Sequence, residues 1–270
     1  MRVETIVTWK WRKPGYRSTF TAEHVNVARD MVARHYKRPH RFVCVTDDPA
    51  GLDPRIEVQS IGDLWADIPN PSWPAGPSCY RRLALFASDA EQRFGRRFVS
   101  IDLDVVITGD LMPVWERPEP IVLWSDPNFH PKGMYCGSMI LLSAGAAPEI
   151  YETFDPLISP RQTRAAGCMG SDQGWLSYKL GRGRPVWTTA DGVYSFWVHL
   201  EKRNRRLPAD ARIVFFHGHR DSWHADVQAQ HPWVREHWRC EFLAEKTIPD
   251  IQAPTIIISC PPAFSSPASK

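Results

Sequence analysis

Short apolar runs and one helical stripe alternate through the first hundred residues. Val3 to Trp9 is rich in β-formers and predicts a strand, broken by Pro14 and Gly15. From Thr21, a residue suited to cap a helix, Val25, Ala28, Met31, Val32 and Tyr36 recur at helical spacing, with Pro39 just beyond. Arg41 to Thr46 predicts a second strand, closed by Asp47-Asp48-Pro49, and Ile56 to Ile61 a shorter third. Strand, helix, strand at this spacing opens a βαβ architecture with a parallel sheet. Four prolines between Asp67 and Ser78 predict a surface loop. Cys79 to Phe94 then reads as one helix with Leu83, Phe86, Ala87, Ala90 and Phe94 along its apolar stripe and Gly95 as its C-cap. Phe98 to Ile107 predicts the strongest strand. Ile121 to Trp124, Met139 to Leu142 and Val214 to Phe216 predict further strands, and Ala146 to Ile158 and Gly170 to Leu180 helices. The late half reads as more irregular than the first. The expected fold class is α/β, a mixed, mostly parallel sheet flanked by helices. One domain spans 1–248, and 249–270 is a Pro/Ser-rich tail.

The strongest strand also carries candidate chemistry. Alternation along Phe98 to Ile107 puts Asp102 and Asp104 on one face, Ile101, Leu103 and Val105 on the other. Two neighbouring carboxylates repel, and burying both is costly without a cation between them. At the carboxyl end of an apolar strand they lie where open α/β sheets bind ligands. Oxygen ligands favour a hard divalent ion such as Mg²⁺ or Mn²⁺, which can in turn hold a diphosphate. The competing reading is a strand-end turn with two solvated aspartates.

Composition narrows the class without naming it. The 270 residues are 43% hydrophobic and 23% charged, which excludes a disordered or collagen-like chain. A net charge of +3 is too even to indicate nucleic acid or anionic lipid by itself. No apolar run approaches the length of a membrane span, and the N-terminal segment lacks the apolar core of a signal peptide, so a cytoplasmic location is expected. The 6 cysteines contain no C-x-x-C pair and read as free or buried thiols. Two basic runs, Lys202 to Arg206 and Arg34 to Arg41, read either as solvated faces or as docking sites for an anionic acceptor.

The stretch from Cys79 to Trp115 resembles the core of family-8 glycosyltransferases and their relatives. Arg82-Leu83, Asp102-Leu103-Asp104, Gly109-Asp110-Leu111 and Trp115 follow in that family's order. Tyr135-Cys136-Gly137-Ser138-Met139 is similar to its Asn-Ser-Gly strand start, Gly170-Ser171-Asp172-Gln173 to its Asp-Gln segment, and His217-Gly218 to its late metal-binding histidine. Tyr135 replaces the Asn, Gly174 follows Asp172-Gln173 where the family has Asp, and the late His-Gly-Lys-Pro-Trp pattern is compressed to HGHRDSW.

The resemblance implies the GT-A fold and transfer of a sugar from a nucleotide-diphospho-sugar, a UDP-sugar, with retention. The acceptor class stays open among glycan, lipid-linked, protein and nucleic acid. Asp102, Asp104 and His217 would hold Mn²⁺ or Mg²⁺. Thr8, Trp9, Arg82, Leu103, Gly218 and Arg220 would face the donor, with Trp9 either stacking on the base or filling the core and Arg81 a rival to Arg82 for the inward position. Asp172 and Gln173 would stand nearest the reacting sugar, or cap a helix with Ser171. Three alternatives use the same residues. His217, His219 and His224 would form a zinc site. The D-x-D would be the nucleophile motif of a haloacid-dehalogenase-type phosphatase, although here it follows three strands. Or the chain would be a non-catalytic sugar-nucleotide or glycan-binding module, as its 12 tryptophans suggest.

Overall fold

Parallel strands whose two faces are both covered read as near-continuous apolar runs, and Ile6-Val7 and Phe42 to Val45 form the apolar centres of the first two strands. In the computed structural model β1 (Thr5–Lys10) is buried throughout and lies between β2 (Arg41–Thr46) and β4 (Arg97–Ile101), parallel to both. β3 (Glu57–Ser60) adds a parallel edge to β2. On the other side β7 (Cys136–Ser143) runs antiparallel to β4 and to β6 (Ile121–Trp124), and β8 (Val186–Trp187) closes that edge parallel to β6. The result is a 7-stranded sheet in the order β3-β2-β1-β4-β7-β6-β8, the mixed, mostly parallel arrangement expected. The structure describes residues 2–12, 19–66, 68–69, 79–127, 134–168, 171–217 and 220–242. The proline-rich stretch from Asn70 to Ser78 and the 249–270 tail lie outside them.

Helix α1 (Ala22–His35) starts at Thr21 as its sequence requires and packs Val25, Ala28, Met31 and Val32 on one face of the sheet. Its first turn is closed by His24, whose Nδ1 accepts the Thr21 backbone N–H at 3.0 Å. The other face carries a 3-10 helix (Tyr80–Phe86), α2 (Ala90–Phe94), α4 (Glu149–Glu152) and α6 (Asp172–Leu180), with Leu83, Phe86, Ile150 and Leu176 in the second core. A short α3 (Met112–Trp115) precedes β6, and α5 (Ser159–Ala165) packs on α6. Helices α7 (Ala225–Gln230) and α8 (Pro232–His237) follow near the end of the described chain.

Three expectations are corrected. The helix over 79–94 is two pieces, because Ala87 is extended (φ −67°, ψ 157°) and breaks the run before α2. The helix over 146–158 is confined to α4, and a separate α5 begins at Ser159. The strand over 98–107 is divided between two sheets: β4 ends at Ile101, and β5 (Val105–Ile107) pairs antiparallel with β10 (Ile213–Phe215) in a 3-stranded sheet with β9 (Val193–Ser195). The aspartates therefore sit at the crossing from one sheet to the other and not on a continuous pleat. No disulfide joins Cys44, Cys79, Cys136, Cys168 or Cys240.

Candidate functional site

Asp102-Leu103-Asp104 spans the crossing. The Asp102 backbone N–H donates to Ser138 at 2.9 Å and prolongs the β4–β7 ladder by one residue. Leu103 turns into the core at 2% exposure, so its side chain anchors the crossing and only its backbone could meet a donor. The Asp104 carbonyl accepts the Phe216 N–H at 2.8 Å, which places the second aspartate beside the residue that precedes His217.

Arg82, carried by the 3-10 helix, is buried and gathers the rest. Its Nη1 donates to Asp102 Oδ1 at 2.5 Å, and its Nε and Nη2 reach Asp172 Oδ2 at 2.9 and 2.7 Å. Nη1 also donates to the Gly137 carbonyl at 3.3 Å. A side chain at 137 would crowd this arrangement: a Cβ there would stand 3.1 Å from Arg82 Nη2 and 3.3 Å from Asp172 Oδ2, and the pair would have to give by a few tenths of an ångström. Burial works against the charge of Arg82, and the carboxylates of Asp102 and Asp172 outweigh it and hold its pKa well above the ordinary value. Burial pushes the Asp172 carboxyl upward, with Arg82 pulling the other way. The structure thus decides between the paired arginines: Arg82 faces the aspartates.

Asp172 is the first residue of α6, and Ser171 stands at the N-cap position in extended conformation. The Ser171 hydroxyl makes no capping bond, and its oxygen is buried without a partner among the described residues. Gln173 is half-buried beside Asp172. Tyr135, which replaces an expected Asn, is structural: its hydroxyl donates to the Gly181 carbonyl at 2.8 Å and accepts the Arg184 N–H at 3.0 Å.

The late strand brings a residue that sequence reasoning missed. His217 Nε2 lies 3.4 Å from Asp126 Oδ2, and the His217 ring stacks on Trp124 at 5.0 Å. Asp126 is fully buried just past β6. Its sequence signal is the one Asp102 gives, an acid at the end of an apolar strand, without a neighbouring motif to mark it.

Several expected partners are otherwise engaged. Trp9 is 6% exposed and donates its indole N–H to Ser100 Oγ at 3.1 Å, so it fills the core and does not offer a face to a base. Thr8 is buried, its hydroxyl without a partner among the described residues. Arg220 bonds Glu201 and pairs with Asp226 at 3.2 Å and Gln230 at 2.8 Å. Gly218 and His219 lie outside the described residues. In the basic run at 34–41, Arg34 pairs with Glu241, Arg38 with Glu116 and Arg41 with Glu57, so much of its charge is neutralised within the chain. Lys202 to Arg206 is exposed, and Lys202 lies over the Trp197 ring at 5.1 Å.

Whether a divalent ion suits this site is a question of donor chemistry. Among the described residues no three His, Cys, Asp or Glu side chains converge on one point. Asp102 is held by Arg82, and His217 by Asp126. Two carboxylates and one imidazole nevertheless suit Mn²⁺ or Mg²⁺ in composition, and the Phe216–Asp104 hydrogen bond sets their backbones side by side. A zinc site of three histidines has no such support, because His224 is turned to Asp221 at 3.7 Å.

By sequence the chain matches no protein-family model and no curated protein. By structure it is similar to the galactosyltransferase LgtC, solved in complex with donor and acceptor sugar analogs, with a TM-score of 0.53 at 15% identity over 89% of this chain and 94% of that one. An active-site mutant of LgtC superimposes with a TM-score of 0.56 at 16% identity, covering 91% and 98% of the two chains. The glycosyltransferase GlyE of Streptococcus pneumoniae gives 0.56 at 11% identity, over 87% of this chain and 62% of that one. The fold is the GT-A fold of these glycosyltransferases. Among the described residues no helix is long and apolar enough to cross a membrane.

Proposed function

We propose that this chain is a glycosyltransferase that uses a divalent ion to move a sugar from a nucleotide-diphospho-sugar, a UDP-sugar, to an acceptor, with retention of configuration. The observation that carries the reading is the bridge made by Arg82 between Asp102 and Asp172. It joins the D-x-D crossing to the N-terminus of α6, the two places where a donor's diphosphate and its sugar would lie in this fold.

Asp102, Asp104 and His217 would hold Mn²⁺ or Mg²⁺, which when bound neutralises the charge that develops on the departing diphosphate. Arg82 is positioned to keep Asp172 oriented and to offer its remaining N–H capacity to the donor. Asp172 would accept a hydrogen bond from a sugar hydroxyl. Gln173, half-buried at the first turn of α6, would face the positive charge that grows at the anomeric carbon. The two carboxylates nearest the sugar position, Asp172 and Asp102, are both tied to Arg82 and are not set free to attack that carbon. The reading therefore has the leaving diphosphate accept the acceptor's proton. Arg220 would have to leave Glu201 to meet a phosphate.

A haloacid-dehalogenase-type phosphatase is disfavoured, since its nucleophilic aspartate ends the first strand and here β1 ends at Lys10. Incubation with Mn²⁺ and a panel of UDP-, GDP- and TDP-sugars tests the proposal. Release of free nucleotide from one donor supports it. Phosphate release from a monoester with no donor turnover would replace it with the phosphatase, and no turnover of either would leave a binding module.

A further inference from the structure

A cleft of about 480 Å³ opens on the face of the sheet away from α1, between the end of β3 and the 3-10 helix. It is separate from the aspartate site, and one turn of backbone explains how. At three residues per turn, successive side chains of a 3-10 helix leave about 120° apart. Arg82 goes to Asp102 and Asp172, and Arg81 goes to the cleft.

The walls combine aromatic, amide, carboxylate and guanidinium groups. Tyr151 supplies aromatic surface and is itself braced by the Trp65 ring at 5.0 Å, while Trp9 closes the floor with its buried edge. Gln59 and Asp89 supply an amide and a carboxylate. Arg81 and Arg93 supply two guanidinium groups against the one carboxylate. Arg93 is fixed in place, its Nε donating to Gln59 Oε1 at 3.3 Å and its guanidinium lying over the Phe94 ring at 4.8 Å. The Arg81 Nε is buried and has no hydrogen-bond partner among the described residues. A buried donor left unmet is costly, and an incoming acceptor would relieve it.

The volume falls in the range of small-molecule sites. Two cations against one anion favour a ligand with a negative group, and the aromatic wall, amide and carboxylate suit the C–H face and hydroxyls of a sugar. We infer that this cleft binds a saccharide bearing a carboxylate, of the uronic acid type, with Arg81 and Arg93 on the carboxylate and Tyr151 against the ring. The inference does not depend on the transferase reading, because it invokes neither donor nor metal.

Isothermal titration of the full chain, without metal or nucleotide, with a glucuronate-containing disaccharide tests it. The acidic disaccharide is expected to bind, its neutral glucose counterpart about tenfold more weakly or worse, and Arg81→Met to lose about tenfold in affinity. Circular dichroism of the variant establishes that it is folded, and Arg93→Gln gives a second, independent loss. Several results would overturn the assignment: no binding of the acidic disaccharide, wild-type affinity in both variants, or equal affinity for the neutral sugar. Inorganic phosphate binding as tightly as the disaccharide would reduce the cleft to a simple anion site. Competition by UDP would place the saccharide in the donor site instead.

Discussion

Arg82 and Asp172 are joined by a hydrogen bond from Nε, at 2.9 Å, and an ion-pair contact from Nη2, at 2.7 Å, which converge on one oxygen of the carboxylate. The pair is buried, and it ties the 3-10 helix before the D-x-D crossing to the first residue of α6. Breaking a buried pair by removing one partner is more damaging than never having had it, because the other charge is stranded in low dielectric. Arg82→Ala should therefore cost roughly 3–5 kcal/mol of stability in urea unfolding and abolish donor turnover. Arg82→Lys keeps the charge without the fork and should recover part of the stability and little of the turnover.

Asp102 shares the same guanidinium, and this reverses what two neighbouring carboxylates alone would lead one to expect. With only Asp104 beside it, loss of Asp102 would relieve repulsion and leave stability unchanged or higher. The Arg82–Asp102 bond at 2.5 Å makes it a stabilising group. Asp102→Ala is expected to lower stability by about 1.5–3 kcal/mol, the range for a hydrogen bond to a charged group. Equal or greater stability than wild type in the same urea titration would show that the pair contributes nothing net.

In the proposed site Asp126 would act through His217. A carboxylate that holds an imidazole fixes its orientation and raises its basicity, and losing such a partner weakens metal affinity about 10–100-fold where the histidine is a ligand. Asp126→Asn should thus raise the Mn²⁺ concentration needed for half-maximal turnover by that factor, while the KM for donor at saturating Mn²⁺ changes little. An unaltered Mn²⁺ requirement would remove His217 from the ligand set.

Stability should fall on mild acidification, through a histidine in the first turn of α1. His24 is packed edge-on to Trp223 at 4.4 Å, and burial lowers its pKa to about 4 despite the Thr21 bond that raises it. The folded pKa lies below the unfolded value near 6.5, so the unfolded chain binds more protons between these limits. The contribution is fully present above pH 6.5 and lost as pH falls toward 4, with a size on the order of 3 kcal/mol. Chemical unfolding at pH 7.5 and pH 5 should show this slope in the wild type and a shallower one in His24→Gln.

The early architecture was legible in the sequence because its signals are local. The apolar runs of β1 and β2 and the Thr21-capped stripe of α1 need no distant partner to be read. The division of 98–107 could not be read this way, since both halves are apolar and only their partners, β1 and β7 for one and β10 for the other, assign them to different sheets. β9 and β10 are 3 residues each, too short for periodicity to mark their limits. At the site, residue types were visible and pairings were not. Arg82 and Asp172 are 90 positions apart, and the same distance problem hid Asp126 from His217. Trp9 shows the converse: its place at a strand end suited a ligand, and the Ser100 hydroxyl on the adjacent strand accounts for its indole N–H.

If nucleotide-sugar turnover runs through the D-x-D crossing and a divalent ion, it must fail when either is removed. Nucleotide release from the best UDP-sugar should be measured on wild type and Asp104→Asn, each stripped with EDTA and then restored with Mn²⁺. The expected result is turnover in the wild type only when Mn²⁺ is returned, and at least about a hundredfold less in Asp104→Asn, the scale on which a lost charge-stabilising group acts. Full wild-type turnover after chelation, or an Asp104→Asn variant as active as wild type, would contradict it.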